Sequence, residues 1–179
     1  MLANIGDYDE RVRQGKKIEW RILNNLRAKL KHRDVRLEDP TSSEDVQSKI
    51  DAWLGSPKSK RYSVQIKYRE TGDDLIFEVV KNTATWTLGR DLRSVAQLYL
   101  VVDRGGTARL YWTAPIKVLA KKLMEEAKID LTTEPSKIEW SGNGYEMKRT
   151  IDRAQGNSKI VAFFDPTRFD AIETWEGLI

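Results

Sequence analysis

From Asp9 to Lys31 the apolar residues Val12, Ile22, Leu23, Leu26 and Leu30 recur at helical spacing with basic residues between them. The stretch holds no proline, and Gly15 weakens only its first turns, so the pattern predicts one long amphipathic helix. Asp39-Pro40-Thr41-Ser42-Ser43 is turn chemistry and closes this element. Two strands are predicted next, Gln47–Leu54 and Arg61–Arg69, joined as a hairpin through Gly55-Ser56-Pro57-Lys58. Thr71-Gly72-Asp73-Asp74 turns the chain again. Leu75–Val80 reads as a further strand, followed by an irregular stretch over Lys81–Arg93.

Within Ala96–Asp103, Leu98-Tyr99-Leu100-Val101-Val102 runs without a charge, as in a strand buried on both faces. Arg104-Gly105-Gly106-Thr107 turns it into Ala108–Thr113, a second hairpin. Pro115 opens a helix to about Lys128, with Ile116, Leu119, Leu123 and Ala127 along one stripe. The tail carries a third hairpin, Lys137–Trp140 and Tyr145–Ile151 around Gly142-Asn143-Gly144, and a strand over Ile160–Phe164. This order predicts an α/β or α+β fold, a mixed sheet flanked by helices. A length of 179 residues predicts a single domain, with a core over about 8–130 and a β-rich extension over 131–179.

Composition narrows the chemistry. Hydrophobic residues make up 40% of the chain, enough for a core, and no apolar run approaches the ~20 residues that cross a bilayer. The N-terminus lacks a signal-peptide pattern, so a cytoplasmic chain without membrane contact is expected. The absence of cysteine excludes disulfides, thiolate zinc sites and cysteine nucleophiles, and the single histidine, His32, argues against a Ser-His-Asp triad. A metal here must be held by oxygen, which favours Mg²⁺ or Mn²⁺. The net charge of +4 is compatible with a polyanionic partner. Its distribution says more: residues 58–69 hold five bases and no acid, whereas 34–57 hold six acids against Arg36 and Lys49. Such blocks either pair with each other as solvated faces or mark an anion-binding edge.

Three positions carry candidate chemistry. Glu19 precedes Ile22, Leu23, Leu26 and Leu30 by 3, 4, 7 and 11 residues, which puts a carboxylate within the apolar stripe. Either it pairs with a base at the edge of the stripe, or it points into a polar pocket. Asp51 interrupts the predicted strand, a poor place for aspartate unless the face is exposed or an ion is held there. Gln65 and Lys67 alternate with Val64, Ile66 and Tyr68, so they share a face that can adjoin Asp51 if the two strands pair.

Gly15-Lys16-Lys17-Ile18-Glu19-Trp20, Lys49-Ile50-Asp51-Ala52-Trp53 and Tyr62-Ser63-Val64-Gln65-Ile66-Lys67-Tyr68 together resemble the PD-(D/E)XK, or restriction-endonuclease-like, nuclease superfamily. Its pattern is a helix glutamate, a strand aspartate and a (Glu/Asp/Gln)-x-Lys tripeptide on the adjoining strand. The Gln-x-Lys form occurs in phage-type, homing and resolvase-like members. Asp51 is not preceded by proline, and glutamine removes one negative ligand. The motifs cover about residues 8–70, and element order extends the likeness to about 130. The resemblance implies a restriction-endonuclease-like core and a metal-dependent DNA endonuclease. Mg²⁺ or Mn²⁺ would be held by Asp51, the Gln65 side-chain oxygen and the Ile66 carbonyl. Lys67 would act on the attacking water, and Glu19 would hold outer-shell waters or a second ion.

Lys16, Lys17, Lys58, Lys60, Arg61, Arg69, Arg90 and Arg93 are the candidate contacts to nucleic-acid phosphates. Asp73, Asp74, Glu78 and Asp91 are further acids whose roles stay open; Glu78 faces the side of Gln65 if their strands pair. Most of the six tryptophans are expected in the core or an interface, with one or two free to stack on bases. Double-strand cleavage by one centre per chain predicts a homodimer or a higher symmetric oligomer. A Holliday-junction resolvase or nickase, a decayed nuclease-fold DNA-binding protein and a purely structural protein are the alternatives.

Overall fold

The apolar stripe on the opening segment forms helix α1 (Ile5–Leu30), and the strands that follow supply the surface on which it packs. The structure is a computed structural model and describes residues 5–48, 50–56, 60–70, 74–82, 85–129, 131, 139–142, 145–152 and 157–179. After α1 come β1 (Arg36–Glu38), β2 (Ala52–Gly55), β3 (Arg61–Tyr68), β4 (Leu75–Asn82), β5 (Trp86–Leu88) and the short helix α2 (Arg90–Arg93). The chain continues through β6 (Leu98–Val102), β7 (Ala108–Trp112), α3 (Thr113–Glu126), β8 (Glu139–Gly142), β9 (Tyr145–Asp152), β10 (Asn157–Phe164) and β11 (Glu173–Trp175). The architecture is mixed α/β. Among the described residues no helix is long and apolar enough to cross a membrane.

The chain divides into two compact units, each built around its own sheet. One comprises Asp9–Asp73, Ser94–Thr113 and Phe169–Ile179. Its sheet has the strand order β1-β2-β3-β6-β7-β11 and is antiparallel except for the β3–β6 pair, which is parallel. All five residues of β6 are buried, which accounts for their uncharged run. The pleat sorts the residues of this sheet. Val64, Leu98, Leu100, Val102, Ala108 and Leu110 lie in one core with Ile22, Leu23, Leu26 and Leu30 of α1. The intervening residues Gln65, Tyr99 and Tyr111 occupy one rung of the ladder, and Lys67, Val101 and Arg109 the next, so these side chains share the opposite face. Edge strand β11 is held by register and by the tail beyond it. The Leu178 amide donates to the Gly106 carbonyl at 3.0 Å, and Gly106 sits at φ +83°, a left-handed conformation that suits glycine in the β6–β7 turn.

The other unit comprises Met1–Tyr8, Asp74–Arg93 and Ala114–Arg168. Its sheet is wholly antiparallel in the order β5-β4-β10-β9-β8, with Phe77 and Phe164 meeting edge to face at 6.1 Å between ring centroids.

Several sequence expectations change. Gln47–Leu54 is not one strand. Thr41 and Glu44 form a reciprocal cap: the Thr41 amide donates to Glu44 Oε2 at 2.8 Å, and the Glu44 amide to Thr41 Oγ1 at 3.3 Å. The cap starts a helical segment that widens to a π-turn over Glu44–Ser48, and extended structure resumes only at Ala52. Lys81–Arg93, expected to be irregular, holds the end of β4, all of β5 and α2. Glu78 does not share a sheet with Gln65, because β4 pairs with β5 and β10 in the second sheet. The strand over Ile160–Phe164 begins earlier, at Asn157. Lys58, Thr71, Gly72, Asp73, Lys137, Asn143 and Gly144 lie outside the described residues.

Leu26 is almost fully buried at the centre of the α1 stripe. Leu26→Ala should lower unfolding stability by about 2–5 kcal/mol, read from urea denaturation. A loss below about 1 kcal/mol would place the core elsewhere.

Candidate active site

The hairpin β2–β3 sets the geometry. It pairs Ala52 with Val64 and Leu54 with Tyr62, and the Asp51 amide extends the ladder by donating to the Val64 carbonyl at 2.8 Å. Asp51 therefore stands at the entrance to β2, beside Gln65, and not in the middle of a strand. Beyond it β3 continues without β2 as a partner. Asp51 closes that edge with its own carboxylate: the Ile66 amide donates to Asp51 Oδ2 at 2.6 Å. Amide and carbonyl of one strand residue point to the same edge, so the Ile66 carbonyl also faces the edge that Asp51 closes.

Gln65 is only 3% exposed, yet among the described residues its Oε1 accepts no hydrogen bond. A buried amide oxygen without a donor costs about 1–3 kcal/mol and calls for an explanation. Lys67, two residues on, is half-buried with Nζ 5.5 Å from the centroid of the Tyr99 ring. Tyr99 is the cross-strand neighbour of Gln65, so the ammonium leans back along β3 toward the Gln65 rung.

Glu19 completes the set from α1. Burial pushes its carboxyl from the ordinary 4.5 up to about 7; the charges of Asp51 and then Asp45 add to the rise, and Lys16 opposes it. Three acids from the helix, the π-turn and the hairpin entrance thus act on one another. Asp45 has no counterpart in the sequence reading, because only the cap at Thr41 turns the chain so that Asp45 bears on Glu19. Tyr99 was likewise legible only as core.

These donors suit a hard cation. They are oxygens throughout: two carboxylates, an amide oxygen lacking a donor and a backbone carbonyl. Among the described residues no group of three or more His, Cys, Asp or Glu side chains is disposed to hold a metal ion. An ion here would therefore draw further oxygens from water or a phosphate, as Mg²⁺ commonly does.

The predicted phosphate contacts separate. Lys16 and Lys17 are exposed on the helix that carries Glu19. Lys60 and Arg61 lie at the start of β3; the Arg61 guanidinium stacks 4.4 Å from the centroid of Trp53 and is 3.4 Å from Glu38. Arg69 is half-buried just past β3, and its amide donates to the Val102 carbonyl. Arg90 and Arg93 belong to the other compact unit, in α2. Lys58 lies outside the described residues. A cavity of about 340 Å³ lined in part by Arg27, Lys31, Arg33 and Arg36 opens at the far end of α1. Arg27 pairs there with Asp39 and Arg33 with Glu173, which neutralises much of its charge.

The chain matches no protein-family model, no curated protein and no solved structure at a significant level.

A raised Glu19 carboxyl has a definite effect on stability. Below about 4.5 both folded and unfolded chains hold the proton. Between 4.5 and about 7 only the folded chain holds it, so stability falls as pH rises through that window. Glu19→Gln should remove this dependence. The variant's melting temperature relative to the parent should climb between pH 4.5 and 7 and level off above. Parallel pH profiles for the two proteins would contradict the burial of this carboxylate.

Proposed function

We propose that this chain hydrolyses phosphodiester bonds in DNA, using Mg²⁺ or Mn²⁺ held at the entrance of the β2–β3 hairpin. The observation that carries this reading is Gln65 Oε1, a buried acceptor without a donor among the described residues, next to Asp51 on the ladder. A donor-free oxygen is costly in a structural role and suited to a cation. The order of helix glutamate, hairpin aspartate and Gln-x-Lys strand supports a restriction-endonuclease-like core in the first unit.

Asp51, Gln65 Oε1 and the Ile66 carbonyl would hold the ion, and Glu19 would order its surrounding waters. A bound divalent ion supplies a Lewis acid for the phosphate oxygen and a water of lowered pKa. Lys67 would orient the attacking water and offset the negative charge that develops on the phosphate. The Ile66 amide would hold the Asp51 carboxylate at that edge. In the reaction one P–O bond forms from water, one P–O ester bond breaks, and the leaving oxygen takes a proton. Cutting both strands of a duplex then calls for two copies of the chain, hence a homodimer; one copy alone would nick.

Asp51→Asn and Lys67→Ala should each reduce Mg²⁺-dependent cleavage of supercoiled plasmid by at least about 100-fold while the circular dichroism spectrum is unchanged. EDTA should abolish the parent activity. Undiminished cutting by either variant would remove the assignment. Salt-dependent DNA binding without cutting by the parent would point instead to a non-catalytic nuclease-fold DNA-binding protein.

Gln65→Met separates function from stability. Replacing a buried amide whose oxygen meets no donor among the described residues by an apolar side chain of similar length should leave unfolding stability equal or higher, while cleavage is lost. A clear destabilisation would mean that the Gln65 amide is a structural bond and not an open ligand.

A further inference from the structure

We propose that Trp20 is a stacking platform for an unpaired base of a nucleic-acid strand, with Lys16 and Lys17 receiving the phosphates beside it. The proposal rests on the nuclease reading and specifies the form of substrate that the site takes. Trp20 is 67% exposed, whereas Trp86 and Trp175 are buried. An indole left in water forgoes the burial that makes tryptophan a core or interface residue. Its setting is informative. Lys16 and Lys17 lie four and three residues before it, and Arg13 seven before it, so all three fall on the same stripe of α1, and all three are exposed. Arg21 follows directly and is exposed as well. The one acid within residues 12–23 is Glu19, whose charge Lys16 already opposes.

Glu19 and Trp20 are consecutive and diverge by about 100° around the helix. A strand whose phosphates follow Lys16 and Lys17 thus runs beside the carboxylate of the proposed active centre. A flat aromatic surface ringed by cations matches a nucleotide, which offers a π-face and a negative charge together. In an intact duplex the base faces are stacked inward, so Trp20 selects an unpaired or displaced base. A second copy of this chain is a poor occupant, because the same stripe facing itself would bring Arg13, Lys16, Lys17 and Arg21 against like charges.

The test is fluorescence anisotropy of a labelled 12-nucleotide deoxythymidine strand, and of a duplex of equal length, with the full chain in EDTA. Trp20→Ala should weaken single-strand binding between roughly 5- and 150-fold, with Trp20→Phe retaining more of it, and should change duplex binding less than about twofold. The Lys16→Gln/Lys17→Gln pair should reduce the slope of log affinity against log salt by about 1.4 on the single strand. Unchanged single-strand affinity in Trp20→Ala, with plasmid cleavage intact, overturns this proposal and leaves the nuclease reading standing. Trp20-dependent strand binding by a parent chain that cuts nothing in Mg²⁺ upholds it and overturns the nuclease reading. A parent chain that binds neither substrate overturns it. So does sedimentation showing that Trp20→Ala dissociates a dimer with no change in strand affinity.

Discussion

The packing of Val64, Ile66 and Tyr68 against the apolar stripe of α1 decides which way β3 faces, and with it where Gln65 and Lys67 go. Successive residues of a strand point to opposite faces, so a slip of one residue would put the glutamine and lysine beneath the helix and turn three apolar side chains away from the α1 core. Ile22, Leu23, Leu26 and Leu30 make that slip costly. Parallel pairing with the fully buried β6 adds a second restraint, because Gln65 must then share its rung with Tyr99, and Lys67 with Val101. Positions at the polar face are thus fixed by apolar contacts on the other.

On that polar face the structure accepts local costs. Glu19 sits close enough to Asp51 and Asp45 for their charges to raise its proton affinity, and Gln65 keeps a buried oxygen without a donor. Asp51 spends one oxygen on the Ile66 amide, which ties the carboxylate to the strand that carries Gln65 and Lys67. The raised proton affinity of Glu19 and the unmet oxygen of Gln65 are each unfavourable for folding alone, and under the proposed function a cation held there would relieve both. Sites that bind or react commonly hold such unrelieved groups in a framework stable enough to tolerate them.

The acids of the second unit show the opposite arrangement. Asp91 is 1% exposed, but its Oδ2 accepts from the Glu78 amide at 2.7 Å. Glu78 is 8% exposed; its Oε1 accepts from the Arg90 amide at 2.8 Å, and its Oε2 lies 3.4 Å from Lys159 Nζ. Here buried carboxylates fasten α2 to β4, with donors supplied by the backbone and a lysine. These two buried acids are met by N–H groups and a cation, whereas Glu19 has its proton affinity raised by burial and by the charges of Asp51 and Asp45.

Much of this was legible in the residues. The stripe of α1, the uncharged run of β6, the pleat of β3 and the turn at Gly105-Gly106 follow from periods of 3.6 and 2 and from glycine's conformational freedom, all of which act over a few neighbours. The same alternation placed Gln65 and Lys67 on one face. What escaped was set by one local cap, between residues three apart, and by pairing between distant segments. The Thr41–Glu44 cap converted a predicted strand into a helical turn and moved Asp51 to the mouth of the hairpin. The choice of β10 over β3 as partner for β4 placed Glu78 in a different sheet from Gln65, and the return of residues 169–179 placed β11 beside β7. Sequence by itself determined which way each side chain would alternate, because that is a property of the local backbone. Only the tertiary structure decided which edges pair and which polar atoms are left without donors, because ladder partners and burial depend on segments far apart along the chain.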